Sequence, residues 1–183
     1  SQPGDVCARA GCKDWSAAAA SFALAVGKFS AIPSFDMLAM DQLWGGAYPD
    51  TEATASVTDW TTGRPSARYF VVQMLAAAFG TFAREFSLIK TDSGGSAAVF
   101  AQAYRAVGAP HNRLLLLVNM VESPINISAP SCGASSVWQG STIDNDAGAF
   151  APPRPRRVKS GERFVFGSLG VGVLTCDGSA LAT

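Results

Sequence analysis

Leu114-Leu115-Leu116-Leu117-Val118 is apolar at every position, with Arg113 before it and Asn119 behind it. Successive side chains of a strand point to opposite faces, so five apolar residues in a row describe a strand that is covered on both sides. Such a strand belongs at the centre of a sheet. The sequence around it has matching grammar. Residues 86–90, 98–105, 113–120, 125–129, 135–139, 163–166 and 171–176 are short extended candidates. Turn chemistry separates them at Asp92-Ser93-Gly94-Gly95-Ser96, Gly108-Ala109-Pro110, Asn145-Asp146-Ala147-Gly148 and Ser160-Gly161. Short strands at this spacing predict an antiparallel β-sandwich. Pro152-Pro153-Arg154-Pro155 cannot join a central ladder, because proline has no amide to donate, so it reads as a loop or an edge. The basic run of Arg154, Arg156, Arg157 and Lys159 has the same reading, a solvated linker or strand edge.

Before Arg84 the pattern differs. Asp14 is a candidate N-cap, and Trp15 to Phe29 is an Ala-, Leu- and Val-rich run with helical spacing that Ile32-Pro33 ends. Phe35 to Trp44 alternates loosely between Pro33-Ser34 and Gly45-Gly46, which predicts a short buried strand. Ser56 to Trp60 is a short extended piece. Pro65 suits a first helical position, Tyr69, Val72, Gln73, Leu75, Ala76 and Phe79 follow with helical periodicity, and Gly80 is a natural stop. Helix, strand, loop, helix is the alternation of a parallel α/β unit. The predicted class is therefore α+β, with incomplete βα elements over residues 1–83 and an antiparallel sandwich over 84–183. One strand cannot satisfy its own backbone, so residues 84–176 are expected to fold alone and 1–80 not.

Composition limits the function. Of 183 residues, 48% are hydrophobic and 15% charged, which permits a core and excludes global disorder. The 14 basic and 14 acidic side chains cancel, so no nucleic-acid partner is expected. No apolar run approaches the ~20 residues of a membrane span. Cys7, Cys12, Cys132 and Cys176 are disulfide candidates with three possible pairings; Cys7 and Cys12 would close a small local loop, Cys132 and Cys176 would bridge the C-terminal half. There is no CxxC pair and His111, in a turn after Pro110, is the only histidine, so no metal is expected. No cofactor is expected either. Gly94-Gly95 lacks the lysine and spacing of a phosphate loop, Ser96 forms no GxSxG elbow, and no βαβ unit surrounds the glycines of 167–172. Asn126-Ile127-Ser128 is an N-glycosylation sequon near Pro124 and Pro130. With the cysteines it points to an extracellular or secretory location.

Three segments carry a family resemblance. They are Asp36-Met37-Leu38-Ala39-Met40-Asp41-Gln42-Leu43-Trp44; Val57-Thr58-Asp59-Trp60-Thr61-Thr62-Gly63-Arg64-Pro65-Ser66-Ala67-Arg68-Tyr69-Phe70 with the helix after it; and the strand run Val99 to Tyr104, Leu114 to Asn119 and Val171 to Leu174. In this order they resemble the end of a clan-A-type (β/α)8 glycoside hydrolase of the β-glucuronidase and heparanase kind, with its C-terminal β-sandwich. The resemblance implies that residues 1–83 are the last βα elements of a barrel, that carbohydrate is the partner, and that the rest of the barrel belongs to a longer chain. It also implies that the catalytic carboxylates lie on earlier barrel strands. Glu52, Glu85, Glu122 and Glu162 all fall in loops or polar turns, so no catalytic residue is assigned here. Gln42, Trp44 and Tyr48 lie at the C-terminal end of the candidate last barrel strand, the face where barrel sites sit. There Trp44 would stack on a sugar ring and Gln42 would bond a hydroxyl, while Asp41 points to the opposite face unless the strand bulges. Arg64 and Arg68 are expected to pair with Asp59 or with acidic sugars. The rival reading is a non-catalytic carbohydrate-binding or adhesion sandwich, which a row of exposed aromatics on the sheet would favour.

Overall fold

A computed structural model describes residues 12–32, 57–58, 63–82, 86–89, 98–132, 137–148 and 150–176. Two helices, α1 (Cys12–Phe29) and α2 (Ala67–Phe82), precede eight strands: β1 (Phe86–Ile89), β2 (Val99–Ala106), β3 (Ala109–Asn119), β4 (Ile125–Ser128), β5 (Val137–Ile143), β6 (Arg154–Lys159), β7 (Arg163–Phe166) and β8 (Val171–Cys176). Six strands form one antiparallel sheet in the order β1-β2-β3-β8-β5-β6, and β4 pairs with β7 in a second, two-stranded sheet. The fold is mixed α+β, mostly antiparallel sheet with two helices.

The apolar run of β3 decides the layering. Leu114, Leu116 and Val118 face one side, where they pack with Tyr104, Val171 and Val173 under Ala19, Ala20 and Ala23 of α1 and Val71 and Met74 of α2. Leu115 and Leu117 face the other side and pack with Trp138, Val158, Leu174, Phe164 and Phe166. Ile125 and Ile127 of β4 close that second core. Helices thus cover one face of the large sheet and the small sheet covers the other, so β3 is central, as its sequence predicts. Each buried leucine contributes roughly 1.5–3 kcal/mol, which makes this double-sided strand the largest single anchor of the two cores.

Small side chains let α1 lie close. A Cβ on Gly27 would collide with the Phe100 ring. Just past the helix, Ser30 Oγ donates to Gly27 O at 2.9 Å and accepts from the Tyr104 hydroxyl at 2.8 Å, which ties the helix end to β2. The helix boundaries differ from the sequence reading. Asp14 lies inside α1, because the helix starts at Cys12. Pro65 bridges Thr58 outside α2, and Ser66 accepts the first helical bond from the Phe70 amide while its hydroxyl donates to Val57 O. Gly80 does not stop α2, which runs on to Phe82. The buried stripe of α2 is Val71, Met74, Leu75 and Ala78, whereas Tyr69, Gln73 and Ala76 face out. The helix is apolar around most of its circumference, so periodicity alone could not choose its inner face.

One turn assignment also shifts. The β2–β3 turn is Val107-Gly108, with Gly108 at φ 83°, and β3 begins at Ala109. His111 is therefore an exposed strand residue and not a turn residue. The basic run is strand β6, at the edge of the large sheet, where Pro155 is tolerated. The expected strand at Phe35 to Trp44 lies outside the described residues.

Candidate functional site

The described residues form a groove where the turn after β5 meets the turn before β8. Asp144 follows directly on β5. Its Oδ1 accepts the Ala147 amide at 2.9 Å, the bond by which a short acidic side chain closes its own turn. Its Oδ2 accepts from the Arg154 guanidinium at the start of β6. Gly167 leaves room for this pair, since a Cβ there would overlap the Asp144 side chain. Asp146 crosses to the other turn, accepting from Ser168 Oγ at 2.8 Å and from the Ser168 amide at 3.2 Å. The Asn145 amide donates to Ser168 O at 2.9 Å and completes the clamp.

Between these parts lies a cavity of about 330 Å³, lined by both aspartates, Arg154, Arg156, Phe164 and Phe166 among others. Arg154 and Arg156 share a face of β6 because strand side chains alternate. The Arg156 guanidinium lies 4.9 Å from the centre of the Phe164 ring, a stacking that holds its planar fork without consuming its donors. The groove can therefore hydrogen-bond hydroxyl or carboxylate groups of a ligand. Its two carboxylates serve as fixed acceptors, one in an ion pair and one on Ser168, and so hold the two turns together.

Asn119 supports the clamp from beneath. It is fully buried at the end of β3, its Nδ2 donates to Ser123 O at 2.9 Å and Gly167 O at 2.8 Å, and its Oδ1 accepts the Val121 amide at 3.1 Å. Leu169, within the turn before β8, takes a left-handed φ of 46° and donates its amide to Val121 O. A non-glycine residue there is strained, and the Asn119 network is what holds it.

The sequence-predicted sugar contacts Gln42, Trp44 and Tyr48, and Asp41 beside them, lie outside the described residues. So do Cys7 and the side chain of Cys12. Cys132 and Cys176 form a disulfide with Cα atoms 6.0 Å apart. Arg64 and Arg68 each lie over an aromatic ring, Phe150 at 5.3 Å and Phe22 at 5.2 Å, and burial pushes the Arg68 guanidinium pKa down. Asn126 is exposed on β4. The groove residues escaped the sequence reading. Asn145-Asp146 and the basic run stood out only as a turn and an edge, and it takes the pairing of β5 with both β6 and β8 to bring them together. No helix among the described residues is long and apolar enough to cross a membrane.

No protein-family model matches this sequence, and no curated protein does. Solved structures do match. A glycoside hydrolase family 30 subfamily 8 xylanase from Clostridium acetobutylicum aligns over 88% of this chain and 39% of its own, with a TM-score of 0.57 and 11% identity. A family 30 endoxylanase from Clostridium papyrosolvens aligns over 73% of this chain and 32% of its own, with a TM-score of 0.47 and 11% identity. An arabinose-bound α-L-arabinofuranosidase aligns over 69% of this chain and 22% of its own, with a TM-score of 0.48 and 16% identity. The likeness rests on the first of these: this chain has the fold of a part of that xylanase and spans well under half its length.

Proposed function

We propose that this chain is the C-terminal region of a glycoside hydrolase, in which residues 1–83 supply the last βα elements of a barrel and residues 84–183 brace it. The observation that carries this reading is the fold shared with the Clostridium acetobutylicum xylanase over 88% of the chain. The catalytic carboxylates then belong to residues outside this sequence, and Gln42, Trp44 and Tyr48 contribute contacts to the sugar. Two further observations are in keeping with it. The carboxylates of the groove are occupied with Arg154, Ala147 and Ser168, whereas hydrolysis needs two carboxyl groups roughly 5–5.5 Å or 6.5–9.5 Å apart and free to act on a glycosidic bond. The buried disulfide suits an oxidising, extracellular compartment. The rival, a free-standing sugar-binding sandwich, has less support: among the described residues the exposed large aromatics are Phe29 and Tyr69, both on helices, and no aromatic row crosses a sheet.

The coding sequence immediately before Ser1 tests the proposal. Further βα repeats carrying two glutamates are expected; an unrelated upstream fold would remove it. A second test uses the chain as it stands. No hydrolysis of aryl glycosides is expected, and turnover abolished by changing one Asp or Glu within residues 1–183 would put the catalytic site here instead.

A further inference from the structure

Asn126 stands on β4 between Ile125 and Ile127, both of which pack into the core beneath the small sheet. Alternation therefore sends Asn126 and Ser128 to the outer face, and both are exposed. The carboxamide of Asn126 makes no hydrogen bond among the described residues. Directly across the ladder, Asn126 pairs with Val165 and Ser128 with Arg163. Val165 lies between the buried Phe164 and Phe166, points outward, and is 59% exposed, the most exposed large hydrophobic residue among those described. Cross-strand partners have Cβ atoms about 4.5–5.5 Å apart. A group attached to Asn126 would start beside the Val165 side chain.

We propose that Asn126 carries an N-linked glycan whose first sugar lies over Val165 and covers the outer face of the β4–β7 sheet. Asn126-Ile127-Ser128 has the acceptor pattern, with no proline in the middle. Attachment occurs by transfer from a polyprenyl-pyrophosphate-linked oligosaccharide. The Asn126 carboxamide nitrogen forms a bond to the anomeric carbon, the bond from that carbon to the pyrophosphate oxygen breaks, and the lipid pyrophosphate leaves with the electron pair. The amide nitrogen loses one proton to a base, and nothing is oxidised or reduced. A chance sequon in a strand often faces the core, where a glycan would prevent folding. Here the modified side chain faces solvent while its neighbours keep the core, so modification and folding are compatible. The sheet it would cover is two strands of four residues each, marginal by itself and with open edges. A bulky polar substituent on such an edge opposes pairing with another chain, as charged residues and proline do elsewhere. This inference is independent of the carbohydrate-active reading, because it concerns a sugar the chain wears and not one it binds.

The test is to send the full chain through a eukaryotic secretory pathway and map the secreted product by mass spectrometry. Release by peptide-N-glycosidase in heavy-oxygen water should leave labelled aspartate at position 126. Asn126→Gln and Ser128→Ala should abolish the modification, and Ser128→Thr should retain it. An unmodified Asn126 in the secreted wild-type chain would overturn the proposal. Coverage of Val165 is read by hydroxyl-radical footprinting before and after enzymatic deglycosylation of the folded wild-type protein, which avoids any folding defect of a variant. Val165 labelling should rise several-fold when the glycan is removed. Equal labelling in both states would show that the sugar stands away from the sheet and would overturn that part.

Discussion

Tyr104, Asn119 and Gly140 are the three residues whose surroundings make the sharpest demands. Tyr104 is buried under the helices with its hydroxyl donating to Ser30 Oγ. Burial raises its pKa above the ordinary value of about 10. A raised pKa means that the folded state holds the proton more tightly than the unfolded chain does. The associated stability is fully present below the unfolded pKa and is lost as pH rises toward the folded one. Denaturant midpoints should therefore fall above pH ~10. In Tyr104→Phe that alkaline loss should shrink, and stability at neutral pH should drop by roughly 0.5–1.5 kcal/mol for the missing hydrogen bond. An unchanged alkaline slope in that variant would dismiss the assignment. Asn119→Ala should be costlier, about 2–4 kcal/mol, because it leaves two carbonyls and one amide short of partners at the turn junction. Equilibrium unfolding in urea would measure both. Gly140 sits in β5 where a Cβ would fall on the backbone of Val173 and Leu174 in β8. Backbone cannot step aside as a side chain tip can, so Gly140→Ala should destabilise by roughly 1–3 kcal/mol, and more if the β5–β8 ladder shifts.

The elements are held by staples as well as by ladders. β8 lies between β3 and β5, and its last residue, Cys176, is joined to Cys132 in the loop before β5. The two cysteines are 44 residues apart, and closing a loop of that length lowers the entropy of the unfolded chain by about 4 kcal/mol equivalent on the loop-closure model. Trp138 Nε1 donates to Pro130 O at 2.8 Å and the Cys132 amide to Ser160 Oγ at 3.0 Å, so the same loop is also fixed by hydrogen bonds. Thiol counting on denatured, unreduced protein should find two or fewer free thiols, and four would contradict the bridge. Cys132→Ala paired with Cys176→Ala should lower the thermal midpoint while leaving the fold intact. β6 is stapled differently. Arg156 packs on Phe164, and Val158 enters the second core beside it, while Arg157 and Lys159 face water at the sheet edge. Charge and proline on an edge strand oppose pairing with other chains, which accounts for a strand of composition that propensity alone would refuse.

At the scale of the whole molecule, helices and strands are not separable by core. Leu114, Leu116, Val118, Val171 and Val173 are covered by α1 and α2. Residues 84–176 produced alone would expose that apolar face, which bears on the sequence expectation that this segment folds by itself. The expected outcome is that the strand half binds more hydrophobic dye and associates more strongly than the 183-residue chain does. Well-dispersed amide-proton spectra from a monomeric strand half would show that the helices are dispensable. The proposed sugar contacts belong to this scale too. If Trp44 stacks on a sugar as proposed, Trp44→Ala should weaken binding of whichever oligosaccharide the wild-type protein binds by roughly tenfold or more, the loss of about 1.4 kcal/mol or above. Calorimetric titration would measure it.

Leu114 to Val118 announced a central strand because a run apolar on both faces has only one comfortable place in a sheet, and turn residues at regular spacing marked most of the strands beside it. These properties are local, set by the period of the chain and the chemistry of each side chain. Other features were decided only in three dimensions. The inner stripe of α2 depends on which side meets the sheet. The Cys132–Cys176 pairing depends on β8 ending beside the loop that precedes β5. Arg154 to Lys159 becomes a strand only because β5 offers a free edge. The groove of Asp144, Asp146, Arg154 and Arg156 exists because β8 inserts between β3 and β5, which brings the turn before it against the turn after β5. Sequence periodicity carries the facing of each element, whereas partner choice between elements is set by how their faces pack together, and that is a property of the whole chain.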